Sequence, residues 1–158
     1  MDSIRLVLAI AASKGWQVHH MDFKSAFLHG ELQKEIYMHQ PKGFQEDPSV
    51  FCKLKKSLYG LKQSPRAWYA KMDAFLLFIG FTRCKSYPNV YLQKHDDIFQ
   101  VIVIYVDELI ITGSCTTSIG SIMSSLHSDF AMTDRGLLRK FLGLEIEQGE
   151  RGIKMSQP

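Results

Sequence analysis

The sequence predicts an α+β fold in which an antiparallel sheet carries helices on one face. Helical and strand-like apolar patterns alternate along the chain, and three strand patterns follow one another between residues 86 and 113. At 158 residues with 46% hydrophobic side chains, the chain is long enough to bury the core of one ordinary domain. No repeat, low-complexity tract or linker divides it, so we expect a single domain over residues 1–158.

The N-terminal half predicts two helices and three strands. An apolar run follows Ser3, a possible N-cap, and stops at Lys14-Gly15, which is typical of a buried helix. WQVHHMD, residues 16–22, alternates like a strand whose C-terminal end carries Asp22. The remaining elements of this half are strands at residues 35–38 and 51–54, and a helix from Ser64, a good N-cap followed by Pro65, to Gly80.

The C-terminal half predicts a hairpin, a further strand, a helix and a last hairpin. SYPNVYLQ and IFQVIVIYV are separated by the polar turn HDD, and LIITG at residues 109–113 follows directly. Apolar residues then recur at helical spacing from Ile119 to Phe130. The final segment, FLGLEIEQ-GERG-IKM, has the pattern of two strands joined by a turn.

Charge and cysteine content restrict the class of protein. The net charge of +3 and the pI near 8.7 permit a polyanionic partner without demanding one. Three distant cysteines match no zinc spacing and favour reduced intracellular thiols, and the six histidines form no metal motif. The acid near the N-terminus argues against a signal peptide, and no apolar run approaches the roughly 20 residues of a transmembrane helix.

One window of the sequence is both basic and aromatic. No acidic residue occurs between Pro48 and Met72, and the interleaving of cations with rings suits the phosphates and bases of nucleic acid. A solvated helix and loop face is the alternative interpretation. The basic residues are Lys53, Lys55, Lys56, Lys62, Arg66 and Lys71, and the aromatic ones are Tyr59, Trp68 and Tyr69.

The stretch VIVIYVDELIITG, residues 101–113, sets two acids inside an apolar run. Because an isolated buried carboxylate is costly, we expect Val106-Asp107-Glu108 to be a tight turn that projects both acids at the sheet edge. An ordinary exposed hairpin turn would have the same pattern. With Asp22 at another strand end, three carboxylates would suit Mg²⁺ or Mn²⁺, and two such ions about 3.5 to 4 Å apart serve in-line phosphoryl transfer.

Five stretches occur together in one order: HHMDFKSAFLHGEL, EIYMHQPKGF, CKLKKSLYGLKQSPRAWY, IYVDELIITG and RKFLGLEI. In these stretches, from about Leu6 to Pro158, the chain resembles the reverse transcriptase of copia-type LTR retrotransposons, the polymerase segment of their Pol polyprotein. The resemblance implies a polymerase palm, with a ferredoxin- or RRM-like sheet, plus part of the fingers. It also implies an RNA-directed DNA polymerase that uses two Mg²⁺ or Mn²⁺ ions, an RNA template, a DNA primer and deoxynucleoside triphosphates (dNTPs).

The resemblance implies a role for each matching residue. The catalytic acids would be Asp22, Asp107 and Glu108, which together with the backbone carbonyl of Phe23 would hold the metal ions. Phe27 would lie below the incoming sugar and exclude a ribose 2′-hydroxyl. The other residues implied to contact the nucleotide are Phe23, Ser25, Ala26, Tyr59, Gly60, Lys62 and Gln63, and those implied to contact primer or template are Tyr105, Leu142, Gly143 and Arg66.

Two features depart from the family pattern. The family's turn motif is Y-x-D-D, whereas this chain has Tyr105-Val106-Asp107-Glu108. The extra methylene moves the second carboxylate outward by about 1 Å, and such a misplacement can cost on the order of 10²-fold in rate, so we expect metal binding to be retained better than turnover. We also expect a Pol fragment without the N-terminal finger strands, thumb, RNase H or integrase, located in cytoplasmic virus-like particles or in the nucleus.

Simpler interpretations remain open for single features. Phe27 also fits an ordinary core position, and Ser64-Pro65 fits a helix start with no further role. At the level of function, the alternatives are a catalytically inactive nucleic-acid-binding module and a retroelement relic without a function.

Overall fold

The structure, a computed structural model, describes residues 2–157. Over this range the fold is α+β with three α-helices, eleven strands and one short 3₁₀ helix, which confirms the predicted class. No helix within these residues has the length and apolarity needed to cross a membrane. The helices are α1 (Asp2–Lys14), α2 (Ser64–Phe78) and α3 (Thr116–Asp129), and the 3₁₀ helix is Ala26–His29.

The strands form three antiparallel sheets. In chain order they are β1 (Val18–Phe23), β2 (Tyr37–His39), β3 (Phe51–Lys53), β4 (Thr82–Arg83), β5 (Val90–His95), β6 (Ile98–Tyr105), β7 (Glu108–Gly113), β8 (Met132–Leu137), β9 (Lys140–Phe141), β10 (Leu144–Gly149) and β11 (Gly152–Ser156). The central sheet has the order β4-β5-β6-β7-β1-β8. The second sheet has the order β11-β10-β9, and β2 pairs with β3 in the third.

The described chain divides into two compact units. The larger unit comprises the chain up to Lys24 and from Leu76 onward, and it contains the six-stranded and three-stranded sheets. The smaller unit is Ser25–Phe75 and contains the 3₁₀ helix, the β2–β3 pair and most of α2. The assignment of the whole chain to a single reverse transcriptase domain stays a prediction.

Helix α1 covers one face of the central sheet. Side chains alternate along a strand, and residues opposite each other in an antiparallel pair share a face. Val18, Val103 and Ile110 lie on one face, and they form a buried cluster with Ile4 and Val7 of α1. Phe141 and Ile146 of the second sheet complete this core.

Helix α3 packs on the opposite face. His19 and Met21 point away from α1, and with Ile119 and Met123 of α3 they line a cavity of about 480 Å³. The prediction of helices on one face only is therefore wrong. Helices lie on both faces because β6 and β7 carry buried apolar side chains on both faces, and each face must be shielded from water.

The three predicted helices and most predicted strands are confirmed. Strand β8 was not predicted, because in its sequence MTDRGL only Met132 is buried and no apolar alternation exists. The final hairpin is present as β10 and β11, but it begins later than expected. Leu142 and Gly143 have φ angles of 50° and 77°, so they form a turn that separates β9 from β10.

The side chain of Gln148 ties β10 to the start of β1. Its Oε1 accepts a hydrogen bond from Val18 N at 2.9 Å. Its Nε2 donates to Val18 O at 2.9 Å and to Leu138 O at 3.0 Å. One partly buried amide thus satisfies three backbone groups, which binds the second sheet to the central sheet.

Replacing Gln148 by alanine is expected to lower the free energy of unfolding by about 2 to 3 kcal/mol, because three hydrogen bonds from its side chain to the backbone are lost. Urea denaturation followed by circular dichroism measures this change. Glu147→Ala, at an exposed neighbouring position of β10, is the matched control. Equal losses in the two variants would contradict the role assigned to Gln148.

Candidate active site

The two acids of the apolar run lie at a tight turn, as predicted. Tyr105, the last residue of β6, pairs with Glu108, the first residue of β7, and only Val106 and Asp107 connect them. Val106 has a φ of 56°, a left-handed conformation that is rare for a β-branched residue. The buried strands on both sides hold this strained turn, so the position of Asp107 is fixed by the core.

Asp22 meets this turn from a distant part of the sequence. In the β1–β7 pair, Asp22 lies directly opposite Glu108, so both side chains project from the same face. Phe23 N donates a hydrogen bond to Asp107 O at 2.8 Å. The structure therefore brings Asp22, Asp107 and Glu108, which we name the acid cluster, to one corner of the central sheet.

Two nitrogen-containing side chains adjoin the acid cluster. Arg135 Nη2 donates to Asp22 Oδ2 at 2.7 Å, and His20 Nε2 lies 3.6 Å from Glu108 Oε1. The His20 Nε2 atom is buried and has no hydrogen-bond partner within residues 2–157. These side chains border a surface depression of about 350 Å³, whose lining residues are His20, Asp22, Glu108, Arg135, Leu137, Arg139 and Lys140.

The sequence did not predict that Arg135 lies beside the acid cluster, because it did not predict strand β8. His20 was placed correctly on the face of Asp22 by the alternation of β1, but its proximity to Glu108 depends on the β1–β7 register. A basic residue close to an acid in space leaves no local signal when 113 positions separate the two in sequence. Only the pairing of β1 with β8 brings Arg135 to Asp22.

The electrostatics of the acid cluster are dominated by burial and by like charges. Partial burial raises the pKa of Glu108, and Asp107 and Asp22 raise it further, whereas Arg135 opposes them. Burial lowers the pKa of His20, against the attraction of Asp22. The carboxylates of the corner are therefore close enough to repel one another, and a cation bound among them would relieve this repulsion.

We expect Glu108→Gln to raise the free energy of unfolding at about pH 7, in the presence of a chelator, by a few tenths to about 1 kcal/mol. Because the pKa of Glu108 is raised on folding, its contribution to stability is full below the unfolded pKa, near 4.5, and is lost as pH rises through the folded pKa. The gain from glutamine should therefore vanish below about pH 4.

Thermal unfolding of wild type and Glu108→Gln across this pH range measures the difference. Glu147→Gln, an exposed acid in β10, is the matched control. A gain from Glu108→Gln that is equally large at acidic and neutral pH would contradict the expected linkage.

The donor types of the acid cluster fit a hard divalent cation. Carboxylate oxygens and a backbone carbonyl such as that of Phe23 are the ligands that Mg²⁺ and Mn²⁺ prefer. Within residues 2–157, however, no three His, Cys, Asp or Glu side chains are arranged as a ready ligand set. Asp22 is instead directed toward Arg135. Binding of an ion would require the carboxylates to turn toward one another.

Most residues with an implied nucleotide role lie in the smaller unit. Ser25 has a φ of 52° and precedes the 3₁₀ helix, in which Ala26 and Phe27 are buried. The rings of Phe27 and Tyr59 lie 4.3 Å apart between centroids, so the structure brings these two together. Gly60, with a φ of 91°, follows at a turn that an L-residue would enter only with strain.

The loop before α2 has one buried anchor. The hydroxyl of Ser64 donates to Leu58 O and accepts from Ser57 Oγ, so Ser64 holds the loop that carries Gly60 and Lys62 in place. Gln63 O accepts from Ala67 N at 2.9 Å, which starts the helical bonding of α2. The basic residues of the window predicted from sequence are all exposed: Lys53, Lys55, Lys56, Lys62, Arg66 and Lys71.

Of the residues implied to contact primer or template, Arg66 lies in the smaller unit, and Tyr105, Leu142 and Gly143 lie in the larger unit. Leu142 and Gly143 form the turn between β9 and β10, so this part of FLGLEI is not the continuous strand that was expected. With positive φ angles, these two residues form the tight turn that connects the paired strands β9 and β10. Tyr105 is partly exposed, and its ring lies 6.2 Å from that of Phe141, which precedes the turn.

Comparisons with known proteins agree with the sequence motifs. The chain matches the family described as reverse transcriptase (RNA-dependent DNA polymerase) over residues 1–158. It is 38% identical to the Retrovirus-related Pol polyprotein from transposon RE1 of Arabidopsis thaliana, over 98% of this chain and 11% of that protein. It is 41% identical to the corresponding polyprotein from transposon TNT 1-94 of Nicotiana tabacum, over 99% of this chain and 12% of that protein.

A third relative, the Retrovirus-related Pol polyprotein from transposon RE2 of Arabidopsis thaliana, is 36% identical over 98% of this chain and 11% of its own length. The chain thus spans only 11% to 12% of these three polyproteins. No solved structure matches the sequence significantly. The full-length family match and the three Pol relatives confirm the resemblance, and the chain belongs to the reverse transcriptase family of copia-type retrotransposon Pol polyproteins.

Proposed function

We propose that this chain supplies the catalytic acids of an RNA-directed DNA polymerase. Asp22, Asp107 and Glu108, with the backbone carbonyl of Phe23, would hold two divalent ions, Mg²⁺ or Mn²⁺. The single observation that supports this most strongly is the register that sets Asp22 opposite Glu108, with Phe23 N bonded to Asp107 O. When bound, such ions activate the attacking hydroxyl and stabilise charge on the transferred phosphoryl group and the leaving oxygen.

The chain's own residues would bind and orient the reactants. In this proposal the larger unit is the palm and the smaller unit is part of the fingers. The N–H groups of Ser25 and Ala26 would bind the triphosphate of a dNTP, and Phe27 would contact its sugar. The remaining contacts to nucleotide, template and primer would come from Phe23, Tyr59, Gly60, Lys62, Gln63, Arg66, Tyr105, Leu142 and Gly143.

Two observations support binding of nucleic acid. Between residues 48 and 72 the smaller unit has exposed basic side chains and no acidic residue. The ring of Tyr59, in the same stretch, is also exposed. Such a surface attracts phosphates, and a ring can stack on a base. If this surface binds the template, the affinity should fall steeply as salt concentration rises.

Primer extension tests the proposal directly. The 158-residue chain is incubated with a DNA primer annealed to an RNA template, dNTPs and either Mg²⁺ or Mn²⁺. Extension that requires the ion and the complementary dNTP supports the polymerase. Absence of extension in both ions, with the primer-template bound, contradicts catalysis by this chain.

A nucleic-acid-binding module without catalysis is the second candidate. The observation that favours it is Glu108, whose longer side chain replaces the second aspartate of the family motif. In that case affinity for the primer-template should be unchanged by Asp22→Asn and should still fall with salt. A chain that binds no nucleic acid at low salt would fit neither candidate and would favour a relic.

A further inference from the structure

Strand β8 contains a β-bulge at Arg135. In the β1–β8 pair, Met21 lies opposite Asp134 and His20 lies opposite Gly136, so Arg135 has no partner on β1. Gly136 has a φ of 74°, and its N–H donates to Asp134 Oδ1 at 2.7 Å, which fixes the irregularity. A bulge re-aims the side chain that it carries and often adjoins a functional site.

The bulge brings Arg135 to Asp22. Arg135 Nη2 donates to Asp22 Oδ2 at 2.7 Å, a short charge-assisted hydrogen bond. The Asp22 side chain is 27% exposed and that of Arg135 is 56% exposed, so the pair lies at the rim of the depression beside the acid cluster. The guanidinium therefore occupies one carboxylate oxygen of Asp22, a residue that the proposed function assigns to the divalent ions.

The other basic residues of the depression do not share this position. Lys140 Nζ lies 3.4 Å from Glu145 Oε1, in the second sheet. Arg139 lines the depression and is exposed, and no ion pair joins it to Asp22 or Glu108 within residues 2–157. Arg135 and Arg139 thus carry the same charge beside the same acids, but only Arg135 is bonded to one of them.

We propose that the β8 bulge presents Arg135 as an internal cation, which binds Asp22 until a divalent ion displaces the guanidinium. Arg135 thereby sets the ion concentration at which the acid cluster becomes occupied. This inference rests on the proposed function, because it takes Asp22 as an ion ligand. In this role Arg135 is a positioning residue. It keeps the Asp22 carboxylate in place and offsets its charge before the ion arrives.

Mn²⁺ binding to the full chain tests the inference without any measurement of catalysis. The free ion is quantified by electron paramagnetic resonance for wild type, Arg135→Ala and Arg139→Ala. We expect the dissociation constant of Arg135→Ala to be about three- to tenfold lower than that of Arg139→Ala, because the partly exposed hydrogen-bonded pair no longer competes. Arg139→Ala controls for the general loss of one positive charge. Thermal unfolding confirms that both variants are folded.

A second variant separates charge from geometry. Arg135→Lys keeps the charge but loses the planar fork, and its dissociation constant should lie between those of wild type and Arg135→Ala. In a titration with diamagnetic Mg²⁺, the side-chain ¹⁵Nε resonance of Arg135 should shift with the midpoint of ion binding. The corresponding resonance of Arg139 should shift less.

The outcomes distinguish this inference from the proposed function. Equal dissociation constants for Arg135→Ala and Arg139→Ala, with binding that Asp22→Asn weakens, would overturn the role of Arg135 and leave the metal site standing. Binding that is unchanged in Asp22→Asn would overturn the metal site and the inference with it.

Discussion

Replacing Asp22 by asparagine is expected to lower primer extension by about 10²- to 10³-fold, because the proposed site would lose one charged ligand for the ions that balance negative charge in the transition state. The side chain keeps its size, so the β1–β7 register and the backbone bond between Phe23 and Asp107 should persist. Single-nucleotide incorporation on an RNA template, at saturating primer-template, measures the effect as a change in kcat.

The matched control is Asp97→Asn. Asp97 is an exposed acid in the tight turn before β6, at the opposite end of the strand from Asp107. This variant makes the same substitution at an exposed acid away from the acid cluster and should incorporate nucleotide at the wild-type rate. If Asp22→Asn and Asp97→Asn had equal rates, the acid cluster would not be the catalytic centre.

Shortening Glu108 to aspartate is expected to raise incorporation, by up to about 10²-fold if the displaced carboxylate is what limits turnover. Glu108 is the first residue of β7 and is held by its pairing with Tyr105 and Asp22. The backbone cannot move to compensate for the extra methylene, so the side chain alone sets the position of the carboxylate. The variant restores the second aspartate of the family's turn motif.

Steady-state incorporation and Mn²⁺ affinity should be measured together for this variant. We expect the rate to change more than the affinity, since Asp22 and Asp107 would still bind the ion. Glu147→Asp, an equally conservative change at an exposed position of β10, should alter neither quantity. A rate for Glu108→Asp at or below that of wild type would show that the longer side chain is not the limiting feature.

The meeting of Asp22 with the Asp107–Glu108 turn could be predicted from the sequence for a physical reason. Each acid follows directly on an apolar strand pattern. In the order β6-β7-β1, strands β6 and β1 are separated by one antiparallel strand and run in the same direction, so their C-terminal ends lie at the same edge of the sheet. The alternation in β1 also placed His20 on the same face as Asp22. These conclusions used only local periodicity together with the resemblance of the surrounding motifs.

The features that the sequence did not reveal depend on tertiary pairing. Strand β8 is an exposed edge strand, so its sequence has no apolar alternation, and the bulge at Arg135 exists only through its pairing with β1. The turn at Leu142 and Gly143 was read as part of a strand because Leu142 is apolar, although its φ is positive. Likewise, the apolar stripe of α1 predicted that the helix is buried, but not which face of the sheet it covers.

The clamp formed by Gln148 has a mechanical consequence. The side chain of Gln148 is hydrogen-bonded to Val18, which belongs to the same short strand as Asp22. Leu142 and Gly143 lead directly into β10, the strand that carries Gln148. A displacement of either segment is therefore transmitted to the other through this amide group and through the core that the two sheets share. If the turn at Leu142 does meet the primer, the distance between the primer terminus and Asp22 is preset by a side chain that touches neither of them.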